Sequence, residues 1–157
     1  MKLKNMTRAA IIAAIYVALT FISSAMGLAS GAIQVRLSEV LTVLPAFTFS
    51  AIPGLTVGCL ISNILTGCAV WDVVFGTVAT LIGAFGTRLV AKKNKFAGCI
   101  PPIVSNAIIV PLVLKFTYGV PEVLPYLVLT VALGEIISCG ILGSVLINLL
   151  NKHKNIF

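Results

Sequence analysis

Charge is what this chain has least of: 10% of its 157 residues are Asp, Glu, Lys or Arg, where a soluble domain carries about 25%. A chain of this length leaves a large fraction of its surface exposed however it folds. A water-soluble globule is therefore excluded, and lipid must solvate most of the surface. Histidine is nearly absent as well. One His, at position 153, rules out His-pair metal sites and His-activated nucleophiles. No glycine-rich phosphate loop with its lysine occurs, so the chain does not hydrolyse a nucleotide by itself. The four cysteines, Cys59, Cys68, Cys99 and Cys139, lack the paired spacing of a zinc centre and read as small buried hydrophobes. No metal, no cofactor and no enzymatic constellation is expected.

Apolar text fills the space that charge leaves, at 59% of residues. A spanning helix needs about 20 mainly apolar residues, and the chain divides into six segments, at about 7–24, 35–49, 53–66, 72–91, 97–116 and 123–150. Pro53-Gly54 reads as the turn that separates the second from the third. Both of those are short, which implies burial among neighbours or a thin local profile. Pro101 and Pro102 open the fifth helix and Pro111 kinks it, a feature that bundles tolerate. No cleavable leader is expected, because the first apolar run lacks a small-x-small site before a polar domain. The predicted fold is all-α: one membrane domain over 1–157, a six-transmembrane-helix bundle with both termini on the same side.

Lys and Arg collect on the cytoplasmic side of membrane proteins. With the N-terminus inside, Lys2, Lys4, Arg8, Arg88, Lys92, Lys93, Lys95, Lys152 and Lys154 all fall inside. Of the 11 basic residues only Arg36 and Lys115 then lie toward the outside. The net charge of +7 follows this topology and does not form the solvated basic face of a nucleic-acid binder. The four acids show the opposite bias. Glu39, Asp72 and Glu122 sit near outer helix ends, whereas Glu135 lies roughly 18 Å into the sixth helix at about 1.5 Å per residue.

A carboxylate inside a span usually faces a cavity or a partner, so Glu135 is a candidate ligand anchor or a hydrogen-bonded strut. Asn106, mid-way along the fifth helix, shares its depth and is either glue between helices or a second contact. Arg36 and Glu39 stand three apart, on one face of a helix. They either pair with each other or line a mouth together with Gln34. Asp72 suits a helix start and Trp71 an interfacial position. Lys115 is expected to snorkel, and His153 to be a solvated tail residue. Ala9/Ala13 and Ala10/Ala14/Ala18 make two adjacent alanine stripes on the first helix, and Gly54/Gly58 repeat the spacing on the third. Such stripes let helices approach closely, either within the bundle or against a second membrane protein.

Ala32-Ile33-Gln34-Val35-Arg36-Leu37-Ser38-Glu39 through Leu44-Pro45, then Ile52-Pro53-Gly54-Leu55, Asn63 and Trp71-Asp72-Val73-Val74-Phe75-Gly76-Thr77, resemble the QueT family. These are substrate-binding S components of energy-coupling factor (ECF) transporters for queuosine precursors. The resemblance implies a bacterial cell-membrane protein with cytoplasmic termini. It also implies a 7-deazaguanine cargo, such as 7-aminomethyl-7-deazaguanine or queuine, captured at the outer face. Partners would be a transmembrane T component, docked through Ala9, Ala13, Ala10 and Ala14, and two ATPase subunits that spend the ATP. A guanine-like edge offers adjacent N–H donors that a carboxylate accepts in pairs. Glu135 or Asp72 is expected to take that edge, with Asn106 and Gln34 beside it, Trp71 nearby, and Arg36 orienting Glu39. An S component for another vitamin, or a self-sufficient oligomeric carrier or channel, are the alternative readings.

Overall fold

The computed structural model describes residues 3–28 and 33–152. Lys2, Gly31, Ala32, His153 and Lys154 lie outside the described residues. The described chain is entirely helical. It consists of α1 (Leu3–Ala25), a 3-10 helix (Leu37–Ala46), α2 (Ala51–Leu65), α3 (Val70–Val90), a 3-10 turn (Phe96–Cys99) leading into α4 (Ile100–Phe116), and α5 (Leu124–Glu135), which continues through a π-helical turn (Ile136–Leu142) into α6 (Gly143–Lys152). Four stretches are long and apolar enough to cross a membrane: Leu3–Ala25, Val70–Val90, Phe96–Phe116 and Leu124–Lys152. Large apolar side chains such as Ile11, Phe75, Ile82, Ile108 and Leu129 are exposed along them. That surface suits an all-α membrane protein, in which lipid is the solvent.

The second element departs most from expectation. An α-helix over 35–49 is replaced by a 3-10 helix over ten residues, long for a type that seldom exceeds about four. Pro45 has no N–H to give an i−4 carbonyl, and Thr42 Oγ1 instead donates to the Glu39 carbonyl at 2.6 Å. Three residues per turn divide this helix into columns. Leu41 and Leu44 pack with Ile12, Tyr16, Ile52 and Leu55, while Val43 packs with Cys99, Cys139 and Ile147. The helix touches α1, α2, α3, α6 and the π turn. Around this central post α1 to α5 wrap in sequence, each against the next. Where α1 and α6 flank the post, a groove of about 340 Å³ runs past Ile11, Ile15, Leu44 and Leu146.

Pro53-Gly54 is not the turn. The break falls at 47–50, and Pro53 occupies the first turn of α2, where no N–H is required. Gly54 and Gly58 are contact points: a Cβ at Gly54 would stand 2.7 Å from the Ala9 carbonyl, and one at Gly58 2.9 Å from Tyr16 Cβ. The Ala9/Ala13 stripe is therefore spent inside the bundle, while Ala10, Ala14 and Ala18 are exposed. At one end of the bundle Arg88 Nη1 donates to the Pro45 carbonyl at 3.1 Å and Lys95 Nζ to Asn151 Oδ1 at 2.9 Å. Cys59, Cys99 and Cys139 are buried free thiols, as expected, and Cys68 is half-buried. Their sulfurs also meet hydroxyls: Thr80 Oγ1 lies 3.3 Å from Cys59 Sγ and Thr42 Oγ1 3.1 Å from Cys139 Sγ.

A Gly58→Val chain is expected to lose about 1–3 kcal/mol of stability through overpacking, read as a lower melting temperature in detergent. Ala14→Val, on the exposed stripe, should leave that temperature unchanged.

Candidate functional site

The 3-10 helix carries Glu39 into the bundle, where it is 2% exposed. Two other helices satisfy it. From α1, the Tyr16 hydroxyl donates to Glu39 Oε1 at 2.5 Å. From α4, Asn106 Nδ2 faces Glu39 Oε2 at 3.5 Å and donates to Glu135 Oε1 at 2.9 Å. One amide group has two N–H donors, so Asn106 bridges both carboxylates. Glu135 ends α5, immediately before the π turn, and is 7% exposed. Its Oε2 is buried and accepts no hydrogen bond. Buried polar atoms are nearly always paired; among the described residues Ser38 Oγ and Ser138 Oγ share this unpaired state.

Glu135 also lines a small chamber of about 20 Å³, together with Gln34, Arg36, Asn106, Val110 and Val131. Gln34 and Val131 also line an adjoining cavity of about 140 Å³, shared with Leu114, Glu122, Tyr126 and Thr130. The larger of the two also meets the α4–α5 loop, at Val120 and Glu122. Beside Gln34 the α5 backbone approaches closely at Gly134, where an added Cβ would run into the Gln34 carbonyl. No side chain fits between α5 and the Gln34 backbone.

The loop at the mouth is pinned twice. Lys115 Nζ donates to the carbonyls of Val120, Pro121 and Glu122 at 3.1, 3.3 and 3.0 Å. It holds a loop where simple snorkelling was expected. Tyr118 OH donates to Asp72 Oδ2 at 2.9 Å and accepts from the Ala69 N–H at 3.0 Å. Burial pushes the Tyr118 phenol up to about 12, so it remains a donor at neutral pH.

Gln34, Arg36, Glu39, Asn106 and Glu135 thus come together; Asp72 reaches them only electrostatically, through Arg36, and Trp71 stands apart. Asp72 does not cap α3, which begins at Val70 with Ala69 at its cap position. It lies in the first turn, near Asn63 across Gly76, and is tied to Tyr118. Trp71 is 61% exposed and stacks on Phe75 at 5.8 Å, on the lipid-facing surface. Arg36 does not orient Glu39 through a hydrogen bond; Tyr16 and Asn106 do that. Arg36 precedes the 3-10 helix in an extended conformation, with φ −100° and ψ 108°. It therefore does not share a helical face with Glu39. Its guanidinium lies within electrostatic reach of Tyr16, Asp72 and Glu39, and of Glu135.

Sequence reasoning missed Tyr16 as a site residue. Its only signal is a phenol among the alanines and isoleucines of α1. The assembly offers two carboxylates, two amides and a guanidinium in apolar surroundings. That set suits recognition of a planar ligand with N–H donors or positive charge.

Tyr16→Phe leaves Glu39 Oε1 buried without its donor and is expected to cost about 1–3 kcal/mol, measured by thermal unfolding in detergent. Thr20→Val, which removes a bond only to the Tyr16 carbonyl at 2.9 Å, should cost less.

The family model described as QueT transporter matches residues 6–152. A queuosine precursor transporter QueT of Lactococcus lactis subsp. cremoris (strain MG1363) is 41% identical over 73 residues, covering 46% of this chain and 43% of that relative. The matched region thus spans less than half the length of that relative. No solved structure matches. With nearly its whole length covered by the family model, and with a helical membrane architecture, the chain belongs to the QueT transporter family.

Proposed function

We propose that this protein is the substrate-capturing membrane subunit of an ECF-type transporter, taking up a queuosine precursor of the 7-deazaguanine class. The observation that carries the reading is the Glu39–Asn106–Glu135 bridge, with Glu135 Oε2 left without a donor and Glu135 lining a chamber. A guanine-like edge presents two adjacent N–H donors, and a carboxylate accepts both. Glu135 takes that edge, Gln34 and Asn106 add hydrogen bonds, and Glu39 offsets a cationic aminomethyl group. Glu122 and Tyr126 line the approach. Asp72 acts through Tyr118, as an anchor of the mouth loop. The distance of Trp71 from the chamber argues against it as a contact.

Orientation follows from charge. Arg88, Lys95 and Lys152 belong to the end where Lys95 meets Asn151, and we place that end, with both termini, in the cytoplasm. The mouth loop then faces outward, in the cell membrane of a bacterium. No nucleic acid is bound. The exposed Ala10 and Ala14 form the docking stripe for the T component, beside the groove along α1, and two ATPase subunits supply the energy. Ala9 and Ala13 are already used against α2 and support that face from behind.

Purified chain should be stabilised by 7-aminomethyl-7-deazaguanine or queuine, by about 2.7 kcal/mol at 100 times the dissociation constant. Glu135→Gln and Glu39→Gln should each weaken binding at least tenfold; unchanged affinity in both rejects the site. Co-purification with a T subunit and two ATPases is expected, while a homo-oligomer transporting alone would favour an independent carrier.

A further inference from the structure

We propose that the groove between α1 and α6 holds an acyl chain of an anionic phospholipid, with the lipid phosphate at Arg8. The inference goes beyond the proposed transport function and does not depend on which cargo is carried. It starts from shape. Arg8 lines a groove of about 340 Å³ whose remaining lining is entirely Ile and Leu, from α1, the 3-10 helix and α6. Ile11 and Ile15 are exposed there. The stretch from Arg8 to Ile15 covers roughly 10 Å of helix at about 1.5 Å per residue. That length stays within one leaflet, half of a hydrocarbon core about 30 Å thick.

Width decides the kind of occupant. A partner helix is about 10–12 Å across with its side chains, and over the same stretch it fills roughly 800 Å³ or more. It can cover this groove but not enter it. The groove is about twice the roughly 150 Å³ cavity that accepts a benzene, which suits a slim alkyl chain.

Charge decides which lipid. Ala9, next to Arg8, meets Gly54 in the first turn of α2. The 3-10 helix that precedes α2 ends at Ala46, where the Pro45 carbonyl accepts from Arg88. Arg8 therefore belongs to the basic end of the bundle, which the proposed orientation places in the cytoplasmic leaflet. Lys4 lies one turn before Arg8 on the same side of α1, and Lys152 closes α6; both are exposed. None of the four acidic side chains is at this end. Glu39 and Glu135 sit in the central knot, Asp72 is in the first turn of the helix whose last turn carries Arg88, and Glu122 is in the α4–α5 loop. The anion that complements this end is thus not one of the chain's acidic side chains. Arginine matches a phosphate through paired N–H bonds, and basic pockets between membrane helices bind anionic headgroups. Phosphatidylcholine carries the same phosphate beside its own quaternary ammonium, so it complements the basic end less well.

The test uses the full chain in mixed micelles with dioleoylphosphatidylglycerol or dioleoylphosphatidylcholine, read by native mass spectrometry. One phosphatidylglycerol should be retained per chain, at least tenfold more often than phosphatidylcholine. Arg8→Gln should lower that retention roughly fivefold, about the contribution of one basic residue at an anionic surface. Lys93→Gln, an exposed cation that does not line the groove, should leave it unchanged. Ile15→Trp should fill the groove and displace the lipid with every cation still in place; if that chain does not fold, Ile11→Trp probes the same groove. Dihexanoylphosphatidylglycerol, with the same headgroup on short chains, should be retained far less. Equal retention of the two dioleoyl lipids, equal loss in Arg8→Gln and Lys93→Gln, or retention that survives the Trp variant would each overturn the proposal. A Trp variant that dissolves a dimer, or abolishes co-purification with a T subunit, without changing lipid retention would assign the groove to that partner instead. No cargo enters these comparisons, so their failure and a failure of the substrate assignment are separate results.

Discussion

Two carboxylates held by one amide are the constraint on which this molecule turns. Glu39 and Glu135 are both more than nine-tenths buried, and a charged group inside a membrane-type bundle costs several kcal/mol unless it is paired or watered. Asn106 meets both at once, and Tyr16 closes the remaining side of Glu39. Each of the four residues comes from a different helix. The polar knot therefore fixes how α1, the 3-10 helix, α4 and α5 stand relative to one another, more narrowly than apolar packing in lipid does. Apolar side chains gain little from one another when lipid tails are an equal alternative.

The irregular elements serve that knot. A 3-10 helix rises about 2 Å per residue, against about 1.5 Å in an α-helix, so ten residues reach further across the bundle. Its three columns keep Glu39 over Thr42 while the leucines and Val43 face different neighbours. The π turn starts directly after Glu135, and such insertions are frequent at functional sites.

Much of this was legible in the sequence. Six apolar segments, the solitary Glu135 and a partner at its depth on the preceding helix could be read because charge is rare and each exception needs a reason. What could not be read depends on rotation about helix axes and on local backbone type. Two alanine stripes about 100° apart look equivalent until Gly54 and Gly58 choose Ala9 and Ala13. Arg36 and Glu39 share a face only if Arg36 itself is helical, and its backbone is extended. Tyr16 reads as one more apolar residue, because a phenol announces its bond only when an acceptor is placed opposite. Trp71 has a composition suited to either a pocket or a lipid interface, and α3 turns it toward lipid.

Gly134 has a consequence for how this scaffold can vary. Backbone meets backbone there, so the Gln34 wall and the α5 wall move together, and neither can be padded or trimmed by changing residue 134. The small chamber nearby is lined by two aliphatic side chains, Val110 and Val131. Variation at this contact is thus confined to shifts of whole backbone segments, whereas Val110 on α4 and Val131 on α5 can change by side chain alone.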